Sequence, residues 1–161
     1  MDNNTAEENE THEHLVRWIT FQLGVEVYGI EVKQVREILL VNNILPVPGA
    51  PDYVLGITNI RGNVVTVLDA RTRINLPTID HTDTTRMIVL ESHGDVAAIV
   101  VDNVVDIIDL PESSIDLNPK LKVNKDSKYI NGVVTHPGGL IIILSAERFI
   151  TEEQFDMVSG L

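Results

Sequence analysis

The side chains capable of chemistry in this 161-residue chain are few and dispersed. Histidines stand at positions 12, 14, 81, 93 and 136, and none forms a helical His-x-x-x-His pair with a third ligand nearby, so they read as loop and tail histidines rather than a metal centre. His12 and His14 flank Glu13, but the polar stretch around them gives a ligand set nothing to hold it in place. Ser145 lies in Leu-Ser-Ala-Glu, the context of a helix cap, and lacks the glycines of a nucleophile elbow. Gly138-Gly139 lacks the rest of a phosphate loop and reads as a turn. The spacings Asp102/Asp106 and Asp106/Asp109 could divide acid and base roles, yet with 24 acidic residues in the chain such spacings arise by chance. With no cysteine there is no disulfide, thiolate ligand or thiol nucleophile. The residues therefore point away from an enzyme and from any cofactor.

Charge narrows the partners further. The net charge is −12, from 24 acids against 12 bases, and a surface of that sign repels phosphate backbones, so nucleic acid is not expected. Lys120, Lys122, Lys125 and Lys128 cluster, but Asp126 sits among them and no aromatic interleaves them before Tyr129, so they read as a solvated loop. The longest apolar runs, Val96–Val101 and Leu140–Leu144, fall far short of the roughly 20 residues of a membrane helix. Residues 1–14 carry Asp2, Glu7, Glu8, Glu10 and Glu13, show no export signal, and read as a disordered acidic tail. The folded domain is expected over 15–161.

The elements that must position any site are mostly strands. Ile19, Phe21 and Leu23 alternate with polar residues, Gly24 breaks the run, and Val25, Val27 and Tyr28 resume it as a hairpin, with Trp18 on the opposite face. From Glu31 to Leu39 the apolar spacing of Val32, Val35 and Ile38/Leu39 predicts a short helix or helical turn. Pro46, Pro48, Gly49 and Pro51 enforce a connection. Val54–Ile60 and Val64–Leu68 form a hairpin around Arg61-Gly62-Asn63, with a bulge or close backbone approach at Gly56. Met87–Glu91 and the long run Val96–Leu110 follow, joined by His93-Gly94-Asp95, and the long run is expected to bend between sheets at Asp102-Asn103. Residues 111–128 read as connection. Tyr129–Thr135 and Leu140–Leu144 make a last hairpin, Ser145 caps a closing helix, and Thr151-Glu152-Glu153 caps a second. Short strands with Gly/Pro turns and no βαβ spacing predict a mostly β fold of barrels.

One stretch resists the plain reading. Arg61 beside a hairpin turn would ordinarily be a solvated charge, but Glu37 is a partner with few competitors among apolar strands. A pair half-withdrawn from water holds each side chain in one orientation, which serves recognition more than net stability.

In these residues the sequence resembles the CheW family of bacterial chemotaxis coupling proteins. The resemblance is carried by Tyr28-Gly29-Ile30-Glu31-Val32, Val35-Arg36-Glu37-Ile38, Pro48–Pro51, Gly56-Ile57-Thr58-Asn59-Ile60-Arg61-Gly62, Val100-Val101-Asp102 and Tyr129-Ile130-Asn131-Gly132, in that order. It implies two intertwined five-stranded SH3-like β-barrels with short connecting and C-terminal helices, and a non-catalytic cytoplasmic scaffold recruited to receptor arrays at the membrane. The implied partners are chemoreceptor cytoplasmic hairpin tips and the regulatory domain of the histidine kinase CheA, with self-association in rings. A receptor-facing groove would include Val35, Glu37, Gly56, Asn59, Arg61 and Ile107, and a kinase-facing surface Ile44, Leu45 and Val64. Thr66, Ala98 and Ala70 depart from the family's usual proline, glycine and longer aliphatic, and bear on partner preference. The alternatives are a CheW-like adaptor of a different signalling array or polar assembly, and a small-ligand binder with a cleft lined by Asp102, Asp106, Arg61 and Glu37.

Overall fold

The computed structural model describes residues 14–117 and 127–150. The acidic tail through residue 13, Lys120, Lys122, Lys125 and the expected cap at Thr151-Glu152-Glu153 lie outside the described residues.

Strands β1 (Leu15–Leu23) and β2 (Glu26–Glu31) form the first hairpin, and Val25 sits in its turn. After a tight helical turn over Val32–Gln34 come β3 (Val35–Leu40), β4 (Val54–Ile60) and β5 (Asn63–Asp69), then the single-turn helix α1 (Ala70–Arg73). Strands β6 (Arg86–Ser92), β7 (Asp95–Val101), β8 (Asn103–Pro111), β9 (Ile130–His136) and β10 (Gly139–Leu144) precede helix α2 (Ala146–Phe149). Ser145 caps α2 by accepting a hydrogen bond from the Arg148 N–H at 3.2 Å. The strands make two five-stranded sheets, ordered β8-β1-β2-β10-β9 and β3-β6-β7-β5-β4. The fold is mostly β, and only the β2/β10 and β5/β7 pairs are parallel among the paired strands described.

The short helix or helical turn expected between Glu31 and Leu39 is present as a turn, and its extent is corrected. Only Val32–Gln34 is helical, and Val35–Leu40 is an edge strand paired with β6. Its inward residues are Val35, Glu37 and Leu39, while Arg36, Ile38 and Leu40 face out. With a carboxylate pointing in and two aliphatics pointing out, the period of two is invisible to a hydrophobicity count.

Written one above the other, the two sheets are the same object. β8, β1, β2, β10 and β9 occupy the places of β3, β6, β7, β5 and β4, so β1 through α1 and β6 through α2 are two repeats that exchange their first hairpins, β1–β2 and β6–β7. Each repeat returns a segment to its opposite sheet edge by one isolated bridge, Leu45 to Ile57 and Asp116 to Val133. In both, a glycine precedes the bridged residue and leaves room for the incoming carbonyl. A Cβ on Gly56 would lie 2.1 Å from the Leu45 carbonyl oxygen, and one on Gly132 would lie 2.7 Å from that of Asp116. At Gly56 the φ of +150° adds a backbone reason for glycine, and the strand register shifts between Val54 and Gly56, as a bulge does.

The exchange makes the main core a seam. It joins Ile19, Phe21, Leu23 and Ile30 of the first sheet to Leu68, Ile88, Leu90 and Ile99 of the second, with Tyr129 and Phe149 closing one side. Two satellite clusters fill the individual sheets: Val65, Val67, Met87 and Val89 in the second, and Trp18, Val134, Ile141 and Ile143 in the first. The chain passes from the second sheet to the first at Asp102, where the long apolar run was expected to bend.

Candidate protein-binding site

Glu37 lies on edge strand β3 and Arg61 at the tip of the β4–β5 hairpin, and the fold brings them together as a two-pronged pair. Arg61 Nε donates to Glu37 Oε2 at 3.2 Å and Nη2 to Oε1 at 3.0 Å. The turn is built for this. Arg61 adopts a left-handed φ of 52°, Gly62 follows at 86°, and Asn59 Oδ1 accepts from the Gly62 N–H at 2.9 Å. Asn59 therefore fixes the turn that presents the arginine. The hydrogen bonds from Arg61 hold the Glu37 carboxyl below the usual glutamate range, so it is ionised at neutral pH. The glutamate side chain is 23% exposed and the arginine 77%, so the arginine is the outward member.

The pair spans the mouth of an open groove of about 630 Å3 between the two edges of the second sheet. Leu39, Leu40 and Asn42 form one bank, Thr58 and Ile60 the other, and buried Met87 lies at the base. Thr58 Oγ1 donates to the Asn43 carbonyl at 3.0 Å across one end, and the Leu45–Ile57 bridge continues the closure. Two exposed aliphatics, Ile38 and Leu40, are in its lining.

Of the residues expected at a receptor-facing groove, Glu37, Asn59 and Arg61 line this one. Gly56 is buried beneath Leu45, and the close approach it permits is with the chain's own backbone. Val35 packs against the seam core. Ile107, on β8 of the first sheet, is exposed and directly opposite Ile19, a seam residue, so it borders the same seam from the other sheet. Of the residues expected to face a kinase, Leu45 and Val64 are exposed, whereas Ile44 packs partly into the satellite cluster of the second sheet. Reading from sequence missed Ile38 and Leu40, whose signal was outward apolar residues on a strand taken for a helix.

The groove of Glu37 and Arg61 does not include the other two residues expected of a small-ligand cleft. Asp102 is engaged by Arg71, with Nε to Oδ1 at 2.8 Å and Nη2 to Oδ2 at 2.7 Å, and Asp106 Oδ1 accepts from the Ile107 N–H at 2.7 Å. Neither aspartate lines the groove of Glu37 and Arg61. Among the described residues no group of three His, Asp or Glu could hold a metal ion, and no helix is long and apolar enough to cross a membrane.

Known proteins share the family and the fold. A family model described as the CheW-like domain matches residues 17–154. The chemotaxis protein CheW of Bacillus subtilis is 33% identical over 138 residues, covering 85% of this chain and 88% of that protein. CheW of Klebsiella aerogenes is 28% identical over 144 residues, covering 89% and 87%. The crystal structure of the scaffolding protein TtCheW from Thermoanaerobacter tengcongensis superposes with a TM-score of 0.78 at 26% identity, covering 84% of this chain and 92% of that one.

Two intertwined five-stranded sheets, with an ion pair held across an open groove, define a mostly β fold of the kind found in the scaffolding protein TtCheW. The chain belongs to the CheW-like family. It is a CheW-type scaffold protein of chemotaxis, in a family of adaptors rather than enzymes.

Proposed function

We propose that the protein couples chemoreceptor cytoplasmic hairpin tips to the regulatory domain of the histidine kinase CheA, acting by position and without chemistry of its own. It works in the cytoplasm, recruited to membrane-associated receptor arrays, where copies also associate in rings. The observation that carries this reading is the Glu37–Arg61 fork across an open groove, flanked by Ile38 and Leu40. An open apolar groove with one oriented polar pair suits a receptor helix: aliphatics supply contact, and the pair sets its register. Val35 and Ile107 extend that surface across the seam, and Leu45 and Val64 on the hairpin side offer a separate aliphatic face to the kinase.

The test is sedimentation of the kinase with receptor-bearing membranes. The wild-type protein is expected to carry the kinase into the pellet, and equal sedimentation without it would end the coupling reading. Arg61→Ala and Glu37→Ala are each expected to weaken receptor binding about tenfold while leaving the circular dichroism spectrum intact. Val64→Asp is expected to weaken kinase binding with receptor binding retained. If neither Arg61→Ala nor Glu37→Ala changes receptor affinity, the groove is not the receptor site.

A further inference from the structure

The receptor-facing surface straddles two sheets, with Glu37 and Arg61 on one and Ile107 on the other, so its shape depends on the angle between them. The seam core brings the sheets together, but apolar burial is non-directional and fixes an angle poorly. A directional, largely buried hydrogen-bonded connection lies at the crossover. Asp102, where the chain crosses from β7 to β8, receives both prongs of Arg71 from α1, and its Oδ2 also accepts from the Gly24 N–H in the β1–β2 turn at 2.8 Å. Arg71 Nη1 donates to the Pro77 carbonyl at 3.0 Å, and Thr84 Oγ1 donates to the Asp102 carbonyl at 2.9 Å, which ties in both ends of the segment joining the repeats. The Asp102 N–H donates to the Gln22 carbonyl of β1 at 3.2 Å. The two side chains are only 14% and 19% exposed. Withdrawing such a pair from water yields little net stability, so its physical contribution is orientation.

We infer that Arg71 and Asp102 are positioning residues that set the angle between the two sheets and thereby hold Ile107 in register with Glu37 and Arg61. This rests on the receptor reading above for its functional consequence, though not for its geometry. β8 leaves the crossover directly after Asp102 and reaches Ile107 within about 17 Å of extended chain, so a rotation at the crossover carries Ile107 with it. The Glu37–Arg61 pair lies wholly within the second sheet and is not moved.

The chain has no cysteine, so Val35→Cys and Ile107→Cys give two unique spin-label sites, one on each sheet. Arg71→Lys keeps the charge and removes the planar fork. The label-to-label distance distribution is expected to be narrow with Arg71 and to broaden or shift with Arg71→Lys, and Asp102→Asn should do the same. An unchanged distribution in both variants overturns the inference. In receptor binding, Arg71→Lys is expected to weaken affinity about tenfold and to make Ile107→Ala nearly silent, while Arg61→Ala keeps its full effect and kinase binding stays within twofold. Additivity of Arg71→Lys with Ile107→Ala would also overturn it. A broadened distribution with unaltered receptor affinity would support the positioning role and instead remove the receptor reading.

Discussion

Two arginine–carboxylate forks of nearly the same geometry do different work because water reaches them differently. Around Arg61 the guanidinium is largely solvated, so its pair with Glu37 is screened and its value lies in pre-setting a side chain for a partner. Around Arg71 most of the solvent is excluded. Burial alone would raise the Asp102 pKa, but the hydrogen bonds from Arg71 and Gly24 outweigh it and hold the carboxyl below the usual aspartate range. A carboxylate whose folded pKa is depressed contributes stability above its ordinary, unfolded value and loses it as pH falls through the folded one. Asp102→Asn is therefore expected to cost about 2–3 kcal/mol at neutral pH, because Arg71 is left partly buried without its counter-charge. That gap from the wild type should narrow below about pH 3.9, the ordinary aspartate value, and continue to close through the folded pKa. Denaturation midpoints of both proteins across that range would show it. A gap that stays constant would mean that the ionised carboxylate is not what Arg71 needs.

At the scale of elements, the bridging glycines test whether each sheet is shaped by the same device. Gly56→Ala would drive a Cβ into the Leu45 carbonyl at 2.1 Å on a backbone with φ of +150°, combining overpacking with conformational strain, at about 3–5 kcal/mol. At Gly132 the nearest atoms are Ile115 Cγ2 at 2.6 Å and the Asp116 oxygen at 2.7 Å, without a left-handed φ, so a smaller loss follows for Gly132→Ala. Gly94→Ala meets open space and bears only its φ of +85°, at about 1 kcal/mol. Urea midpoints should fall in that order, and a Gly56→Ala no worse than Gly94→Ala would refute close packing at the bridge. The hairpins, the bend at Asp102-Asn103, the bulge at Gly56 and the Ser145 cap were all legible in the sequence, because each is announced by local turn chemistry or alternation. Strand β3 was not, since Glu37 points inward while Ile38 and Leu40 point outward, which hides its period of two. The repeat was also hidden. Tyr53, Gly56, Leu68 and Ala70 recur as Tyr129, Gly132, Leu144 and Ala146, but the positions between them share only apolar character. Exchange of the first hairpins also means that no repeat completes its own sheet. Likewise, nothing local links Arg71 to Asp102, whereas Glu37 stands among apolar strands that leave Arg61 few competing partners.

For the molecule as a whole, the exchange of the hairpins β1–β2 and β6–β7 decides how it comes apart. If each sheet were built from consecutive strands, the two could unfold separately, joined only by a linker. Here neither sheet survives loss of the other, because each takes three strands from one repeat and two from the other, and the largest core is shared between them. One cooperative transition is expected. The chain's single tryptophan, Trp18, is a reporter for this, since it lies 6% exposed in the satellite cluster of the first sheet, away from the second. Its fluorescence transition in urea should coincide with the far-ultraviolet circular dichroism transition of both sheets. A sharper form of the test places the perturbation in the other sheet. Ile99 on β7 is fully buried in the seam, and Ile99→Ala should remove about 2–5 kcal/mol by lost burial and a residual cavity. Although Ile99 belongs to the second sheet, the variant should shift the Trp18 transition by the same amount as the circular dichroism. A Trp18 signal that keeps its wild-type midpoint while the dichroism moves would mean that the two sheets are separable units, and that the exchanged strands do not bind their stabilities together.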